Sequence, residues 1–323
     1  MKKRPFGDTG LQVSELVLGA GYVGGIVLHA DDDTRRALIR RLLDGGVNWI
    51  DTAQNYGDGR SEEALGWLLA ELPAAERPYV STKLTLDLAN LDDIPGQIEA
   101  ALAGSLNRLG MDRVTLYQLH NPLGEGSLDI EHVLRPGGVC DALDGLRQRG
   151  LIGHTGFTAL GDPAQCRQLI ESGRMASAQV YYNLLNPSAG QPIGDGWSTS
   201  NFDGLIEACA DNGVAVMNIR TFAAGVLASP IEHGREIPIT ANAELAIEQA
   251  RARQVFDLLG DRYGSGAQTA LRFGLANAGV SCIVIGLAEL AHLEEALAGA
   301  AMGPLPDEAI EQLRPLWASD FAE

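Results

Sequence analysis

The chain has 323 residues, of which 46% are hydrophobic and 20% are charged. It is long enough for a large buried core, and its composition excludes a disordered, collagen-like or disulfide-stabilised small protein. Its 24 basic and 42 acidic residues give a formal net charge of −18. Because such a surface repels nucleic-acid phosphates and anionic lipid headgroups, we expect neither a nucleic acid nor a membrane as a partner.

The predicted elements begin with a β-hairpin whose strands cover residues 4–7 and 11–14, joined by a turn at Asp8-Thr9-Gly10. Short apolar runs then alternate with stretches whose apolar residues recur every three or four positions. The runs predict eight buried strands, at residues 16–19, 48–51, 79–82, 114–118, 152–155, 177–180, 214–218 and 282–285. The stretches predict eight helices, at residues 33–43, 61–72, 92–109, 140–149, 163–172, 203–211, 243–263 and 289–299.

This alternation predicts an α/β fold, a (β/α)8 TIM barrel with an N-terminal hairpin. The glycines after the first strand lack the spacing of a dinucleotide-binding GxGxxG turn, which argues against a doubly wound sheet. No change in composition marks a linker, so we expect one domain over residues 1–323. Three long connections, residues 121–139, 186–201 and 220–241, follow strand ends and are expected to form the walls of a substrate pocket.

Four widely spaced cysteines, without a CxxC pair, indicate reduced thiols in a cytoplasmic protein. The chain has no 18-residue apolar run and no apolar signal core near its N-terminus, so we expect a soluble protein. The spacing of its histidines suggests no metal site, because zinc needs three or four converging ligands.

Four side chains that suit acid–base chemistry fall at or just after predicted strand ends: Asp51, Tyr56, Lys83 and His120. A phenol titrates near pH 10, too high for efficient proton exchange at neutral pH, but a neighbouring ammonium group stabilises the phenolate. A buried Lys83 needs a counter-ion, for which Asp51 is the natural partner. With His120 facing the same centre, the group could move a proton on an oxygen while a hydride moves at its carbon.

At these residues the chain resembles the aldo-keto reductase superfamily over nearly its whole length. The resemblance includes Gly7-Asp8-Thr9-Gly10, the segment from Asn48 to Gly57, Ser61-Glu62, Ser81-Thr82-Lys83, Leu116 to His120 and Gln179 to Leu184. It implies a nicotinamide cofactor bound across the strand ends, with Tyr56 as general acid/base, Asp51 and Lys83 adjusting its acidity, and His120 positioning the substrate. Asp51 is also expected near the cofactor.

The resemblance further implies cofactor contacts from loops at the strand ends. Many members carry Ser-Asn after the fifth strand to hold the carboxamide; here we expect Thr155 and Gly156 there, with Gln179 after the sixth. This variant resembles a branch of aldose and L-galactose dehydrogenases. After the seventh strand, Ile219 takes the place of a stacking aromatic residue, and Arg220 opens a loop that resembles the pyrophosphate clamp. Other expected cofactor contacts are Gly21, Tyr22, Gly225 and Leu227.

The last strand bears on the choice between NAD and NADP. Members that prefer NADP place Lys and Arg where this chain has Gly286 and His292, with Glu289 between them and Glu295 nearby. A 2′-phosphate needs cationic, bidentate partners, so we expect NAD, with NADP as the alternative. Glu289 could instead cap its helix, and Arg220 could pair with an acidic residue of a neighbouring loop.

These observations predict an NAD(P)-dependent oxidoreductase that interconverts an alcohol or hemiacetal with a carbonyl or lactone, with a preference for NAD-linked oxidation of an aldose at C1. The substrate is expected to contact Tyr56, His120 and Trp197, although Trp197 and Tyr22 could equally be packing residues. The alternatives are a broad NADPH-dependent aldehyde or ketone reductase, a slow cofactor-sensing accessory protein and, least favoured, a metal-dependent hydrolase. A monomer and a homo-oligomer both remain open.

Overall fold

The computed structural model describes residues 1–228 and 244–322. Its centre is a closed barrel of eight parallel strands, β3 to β10, in which each strand pairs with its neighbours in chain order and β10 closes the ring against β3. This confirms the predicted (β/α)8 barrel. The strands are β3 (Leu16–Gly19), β4 (Trp49–Asp51), β5 (Tyr79–Leu84), β6 (Val114–Leu119), β7 (Ile152–Ala159), β8 (Ser177–Tyr181), β9 (Ala215–Ile219) and β10 (Val280–Gly286).

The predicted hairpin closes the end of the barrel where the strands begin. Its strands, β1 (Lys3–Pro5) and β2 (Gln12–Ser14), pair antiparallel, and Gly10 ends the turn in a left-handed conformation with φ 78°. Phe6 is fully buried, and its ring centroid lies 4.7 Å from that of Trp49 inside the barrel. The hairpin fills this end with apolar side chains, which leaves the opposite end, where the strands finish, for a ligand site.

The helices surround the barrel, and each of the eight predicted ones has a counterpart. Residue 243, the first of the seventh predicted helix, lies outside the described residues. The helices are α1 (Ile26–His29), α2 (Asp32–Asp44), α3 (Arg60–Ala70), α4 (Ile94–Leu109), α5 (Ile130–Leu134), α6 (Val139–Gln148), α7 (Pro163–Glu171), α8 (Leu205–Asp211), α9 (Leu245–Leu259), α10 (Gly266–Ala276), α11 (Leu290–Ala301) and α12 (Asp307–Ala318).

The prediction omitted α10, which packs against α11 and β10. Most of its residues are buried. Its N-terminus nevertheless carries a local signal, because Ser265 and Gln268 form a capping box. Among the described residues, no helix is both long enough and apolar enough to cross a bilayer.

The structure corrects the end of the fifth barrel strand. β7 continues to Ala159, four residues beyond the predicted end, so Thr155 and Gly156 lie within the strand. The Thr155 hydroxyl donates to the carbonyl of Arg174, 3.0 Å away. Thr158 pairs in register with Gln179 on β8. The prediction was wrong here because the apolar run of β7 is interrupted by polar residues and glycine, which we interpreted as a strand end.

Two of the three long connections contain short helices. The connection after β6 includes α5, and the one after β9 begins with a short 3-10 helix at Ala223–Gly225. In that turn Ala223 and Ala224 have left-handed backbones, with φ 45° and 58°. Residues 229–241 of the predicted 220–241 connection lie outside the described residues.

Candidate active site

The structure brings the four predicted acid–base side chains together where β4, β5 and β6 end. Asp51 is the last residue of β4, Lys83 lies in β5, and His120 follows β6 directly. The Lys83 Nζ donates to Asp51 Oδ2 at 2.5 Å, to the carbonyl oxygen of Thr52 at 2.8 Å and to Tyr56 Oη at 3.2 Å. The rings of Tyr56 and His120 meet edge to face, with centroids 5.9 Å apart. A lysine therefore links a buried carboxylate to a phenol.

The Asp51 carboxylate is held by further donors that sequence reasoning did not identify. Its Oδ1 accepts from Ser81 Oγ at 2.6 Å and from Gln118 Nε2 at 3.0 Å. The Ser81 hydroxyl in turn accepts from the indole of Trp49 at 3.0 Å. Since both carboxylate oxygens accept hydrogen bonds from groups of this chain, the structure shows Asp51 as the counter-ion of Lys83.

Burial and charge set the protonation of the two basic groups. Burial disfavours the ammonium form of Lys83, but the combined attraction of Asp51 and Tyr56 outweighs it and raises the pKa of Lys83. Burial, assisted by the positive charge of Lys83, lowers the pKa of His120 to about 3. At neutral pH the site therefore contains an ammonium group beside the phenol and an uncharged imidazole.

Beside this group, a cleft of about 170 Å³ runs between the turn after β9 and the end of β10. Its lining includes Gly24, whose added Cβ would lie 2.3 Å from the amide nitrogen of Leu287. Five residues predicted to contact a cofactor line the cleft: Arg220, Gly225, Gly286, His292 and Glu295.

Arg220 stands between the cleft and the phenol. Its backbone is left-handed, with φ 61°, and its carbonyl accepts from Asn183 Nδ2 at 2.9 Å. Burial lowers the pKa of Arg220, while Tyr181, Glu248 and Tyr56 oppose that shift. The nearby acidic residue that could pair with Arg220 is thus Glu248 of α9, a buried residue that sequence reasoning missed. The Tyr181 hydroxyl donates to Glu248 Oε1 at 3.4 Å.

Residues 15–318 match the family model described as the aldo/keto reductase family. The chain belongs to this family. D-threo-aldose 1-dehydrogenase of a Pseudomonas species is 28% identical over 70% of this chain and 71% of that enzyme. The NADH-specific methylglyoxal reductase of Escherichia coli (strain K12) is 26% identical over 72% of this chain and 70% of that enzyme. The holo form of aldo-keto reductase AKR11C1 from Bacillus halodurans shares the fold, with a TM-score of 0.75, 22% identity and coverage of 98% of this chain and 96% of that one.

Aldo-keto reductases use nicotinamide cofactors, and two orphaned polar atoms of this aldo-keto reductase fit the carboxamide of such a ring. Thr158 Oγ1 and Gln179 Nε2 are buried without a hydrogen-bond partner. The two residues are register partners at the ends of β7 and β8. A buried polar atom without a partner costs about 1–3 kcal/mol, which a carboxamide would remove. Thr158, rather than Thr155 or Gly156, is the residue near the end of β7 that pairs with Gln179.

In the cleft at the end of β10, the residues are poorly suited to a 2′-phosphate. Gly286 offers no side chain, and Glu295 accepts a hydrogen bond from Ser265 Oγ at 2.5 Å. His292 Nδ1 accepts from the amide of Ala288 at 3.4 Å. Among the described residues that line the cleft, Arg220 is the only arginine or lysine.

The remaining predicted contacts lie elsewhere. Gly21 lies against the phenol, since an added Cβ would be 3.3 Å from Tyr56 Cε2. Tyr22 is 48% exposed, Leu227 is fully buried, and Glu289 stands at the N-cap of α11 without a capping hydrogen bond from its side chain. The described lining of the cleft includes none of these four, nor Ile219.

Trp197 belongs to a packed cluster. Its ring contacts Phe321 at 6.3 Å between centroids, and the guanidinium of Arg251 lies 4.9 Å from each of the two rings. Arg251 also donates to Asp320 at 2.5 Å. The structure therefore supports a packing role for Trp197. Among the described residues, no three His, Cys, Asp or Glu side chains converge as metal ligands do.

Proposed function

We propose that this aldo-keto reductase is an NAD-linked oxidoreductase that interconverts an alcohol or hemiacetal with a carbonyl or lactone. The observation that carries the proposal is the buried chain from Asp51 to Lys83 Nζ to Tyr56 Oη, with contacts of 2.5 and 3.2 Å. When bound, the nicotinamide ring supplies or accepts the hydride at the substrate carbon. Tyr56 is the general acid/base that gives or takes the proton on the substrate oxygen.

The neighbouring groups let Tyr56 perform this step in either direction. Lys83 places a positive charge 3.2 Å from the phenol oxygen, which stabilises negative charge on that oxygen as the proton leaves. Asp51 keeps Lys83 charged despite its burial. The uncharged His120 is the positioning group, because a neutral imidazole can donate one hydrogen bond to the substrate oxygen without competing for the proton.

The cofactor is proposed to lie from β8 to the cleft at β10. Thr158 and Gln179 would hold the carboxamide, and Arg220 would neutralise phosphate charge in a chain whose net charge is −18. Gly286 and Glu295 then favour an unphosphorylated ribose, since a 2′-phosphate requires cationic partners. This reasoning supports NAD rather than NADP.

A cofactor exchange tests the NAD preference directly. An added Cβ at Gly286 meets its nearest neighbour at 3.4 Å, so a side chain fits there. The double variant Gly286→Lys/His292→Arg should raise the kcat/KM ratio of NADP to NAD at least about tenfold, because it adds two cations. Gly286→Gln/His292→Gln, of similar size but uncharged, is the matched control. An equal ratio in the two variants would contradict the assignment.

The proposed substrate is a small aldose oxidised at C1. The support for it is the similarity to D-threo-aldose 1-dehydrogenase. The pair Thr155-Gly156 no longer supports an aldose substrate, because both residues lie within β7 and not at its end. Initial rates with NAD and NADP against a panel of aldoses and simple aldehydes test the proposal. Strong NAD-linked oxidation of one sugar is the expected result.

Reduction of simple aldehydes with NADPH, with inert sugars, would instead support the general reductase. The similarity to an NADH-specific methylglyoxal reductase keeps aldehyde reduction as the second candidate, with the same cofactor preference. Tight cofactor binding without turnover would indicate an accessory protein. The four cysteines are all buried and free of disulfides, which supports the proposed cytoplasmic location.

A further inference from the structure

A buried junction of two hydroxyl groups lies directly behind the phenol and the lysine. Ser61, in the first turn of α3, is fully buried, and its amide donates to the carbonyl of Tyr56 at 3.2 Å. Its Oγ donates to the carbonyl of Ala20 at 2.9 Å and lies 2.8 Å from Thr52 Oγ1. A hydroxyl has a single proton to give. Since Ser61 gives its proton to Ala20, the Thr52 hydroxyl must be the donor between the two.

Thr52 connects this junction to the lysine. It is fully buried and follows Asp51. Its amide donates to the carbonyl of Ser81 at 2.9 Å, and its own carbonyl accepts from Lys83 Nζ at 2.8 Å. The hydrogen bond between the Thr52 and Ser61 hydroxyls therefore connects two contacts. One is the Thr52 carbonyl with Lys83 Nζ, and the other is the N-terminus of α3 with the Tyr56 carbonyl.

The backbone after Tyr56 depends on such a support. Gly57, Asp58 and Gly59 are all left-handed, with φ of 61°, 54° and 88°. The left-handed conformation costs a residue with a side chain about 1–2 kcal/mol. In this reversal that cost falls on Asp58, whose backbone must therefore be held by the structure around it. Before the reversal, the Tyr56 amide donates to the carbonyl of Ala53 at 3.1 Å. After the reversal, the Ser61 amide donates back to the Tyr56 carbonyl and so closes the loop.

We propose that Thr52 and Ser61 are positioning residues that set the distance between Lys83 Nζ and Tyr56 Oη. This inference rests on the proposed function of Tyr56 and Lys83. Neither hydroxyl reaches the phenol oxygen, so both act through backbone groups. Loss of the hydrogen bond between them would let the Thr52 carbonyl and the α3 N-terminus move apart, and a misplacement of about 1 Å can reduce a rate about 100-fold.

The test compares Thr52→Val, which keeps the shape but removes the hydroxyl, with Thr52→Ser, which keeps the hydroxyl. With the best substrate of the panel, Thr52→Val should lower kcat about tenfold or more, leave the Kd for NAD within about twofold, and shift the pH profile of kcat/KM to higher pH. Thr52→Ser should restore kcat to within about threefold. The shift has this sign because a displaced ammonium stabilises the phenolate less.

A matched control separates positioning from stability. Ser14 is also fully buried, and its Oγ donates to the carbonyl of Leu16 at 2.6 Å, but it lies at the opposite end of the barrel. Ser14→Ala should reduce stability without changing kcat or the pH profile. If Thr52→Val does not fold, Ser61→Ala removes the same hydrogen bond from the other side.

The proposal is overturned if Thr52→Val, or Ser61→Ala in its place, loses stability as Ser14→Ala does while kcat and the pH profile stay unchanged. It is equally overturned if Thr52→Ser fails to restore kcat. Tyr56→Phe tests the underlying function separately. Full activity of Tyr56→Phe would refute the proposed role of the phenol, whatever the Thr52 variants show.

Discussion

Removing the Lys83 ammonium group alone should lower the free energy of unfolding more than removing both members of the Lys83–Asp51 ion pair. Lys83→Met leaves the Asp51 carboxylate, which is buried, with donors only from Ser81 and Gln118. Truncating one partner of a buried ion pair costs about 3–5 kcal/mol. Asp51→Asn leaves the lysine with the Thr52 carbonyl and Tyr56 Oη, and we expect a loss of similar size.

The double variant Lys83→Met/Asp51→Asn has no unpaired charge. Its remaining cost is an amide that has lost one partner, about 1–3 kcal/mol. The two single losses should therefore not add, and the interaction free energy of the cycle should exceed about 2 kcal/mol.

Urea unfolding of the wild type and the three variants measures each free energy, provided that the m-values agree. All three variants should lose turnover, so activity cannot distinguish them, but stability can. If the stability lost by the double variant equals the sum of the two single losses, the interaction free energy is zero. The proposed support of Lys83 by Asp51 is then wrong.

Three further outcomes are expected. The Thr158→Val variant should weaken NAD binding about fivefold, the value of one hydrogen bond. It should not lose stability, because Thr158 Oγ1 has no partner in the protein. Calorimetry measures the Kd for NAD of this variant and of Thr158→Ser, and equal Kd values would exclude the contact. NMR should show no imidazole titration of His120 between pH 5 and 8, since burial lowers its pKa to about 3. Its contribution to stability is present above the unfolded-state pKa of about 6.5 and is lost as the pH falls, because the unfolded chain binds the proton first; a midpoint near 6.5 in the folded protein would refute this. The Ala224→Gly variant should be about 0.5–1 kcal/mol more stable in urea, since glycine adopts φ 58° without strain, and a loss of stability would contradict it.

The barrel and its four central side chains could be predicted because they depend on local patterns. Buried strands appear as short apolar runs, and amphipathic helices as a repeat of 3.6 residues. The acid–base residues could be placed because a parallel barrel brings all strand ends to one face. Asp51 and His120 therefore had to lie near each other, whatever the loops do.

Other features had no such pattern. Most residues of helix α10 are buried, and it was omitted although its capping box was a usable signal. The end of β7 was placed too early because polar residues and glycine interrupt its apolar run. Only the structure shows that these residues still pair with β6 and β8. Trp197 looked as suitable for a ligand as for packing until Arg251 and Phe321 were seen beside it.

By itself, then, the sequence determined the barrel and the acid–base residue types that meet at its strand ends, because periodicity and strand direction are properties of neighbouring residues. The tertiary structure alone decided which polar atoms remain without a partner, such as Thr158 Oγ1 and Gln179 Nε2. It also decided that Glu248 faces Arg220 and that Ser61 meets Thr52. Such contacts join residues distant in the chain, and their distances depend on how whole elements pack, which no local pattern encodes.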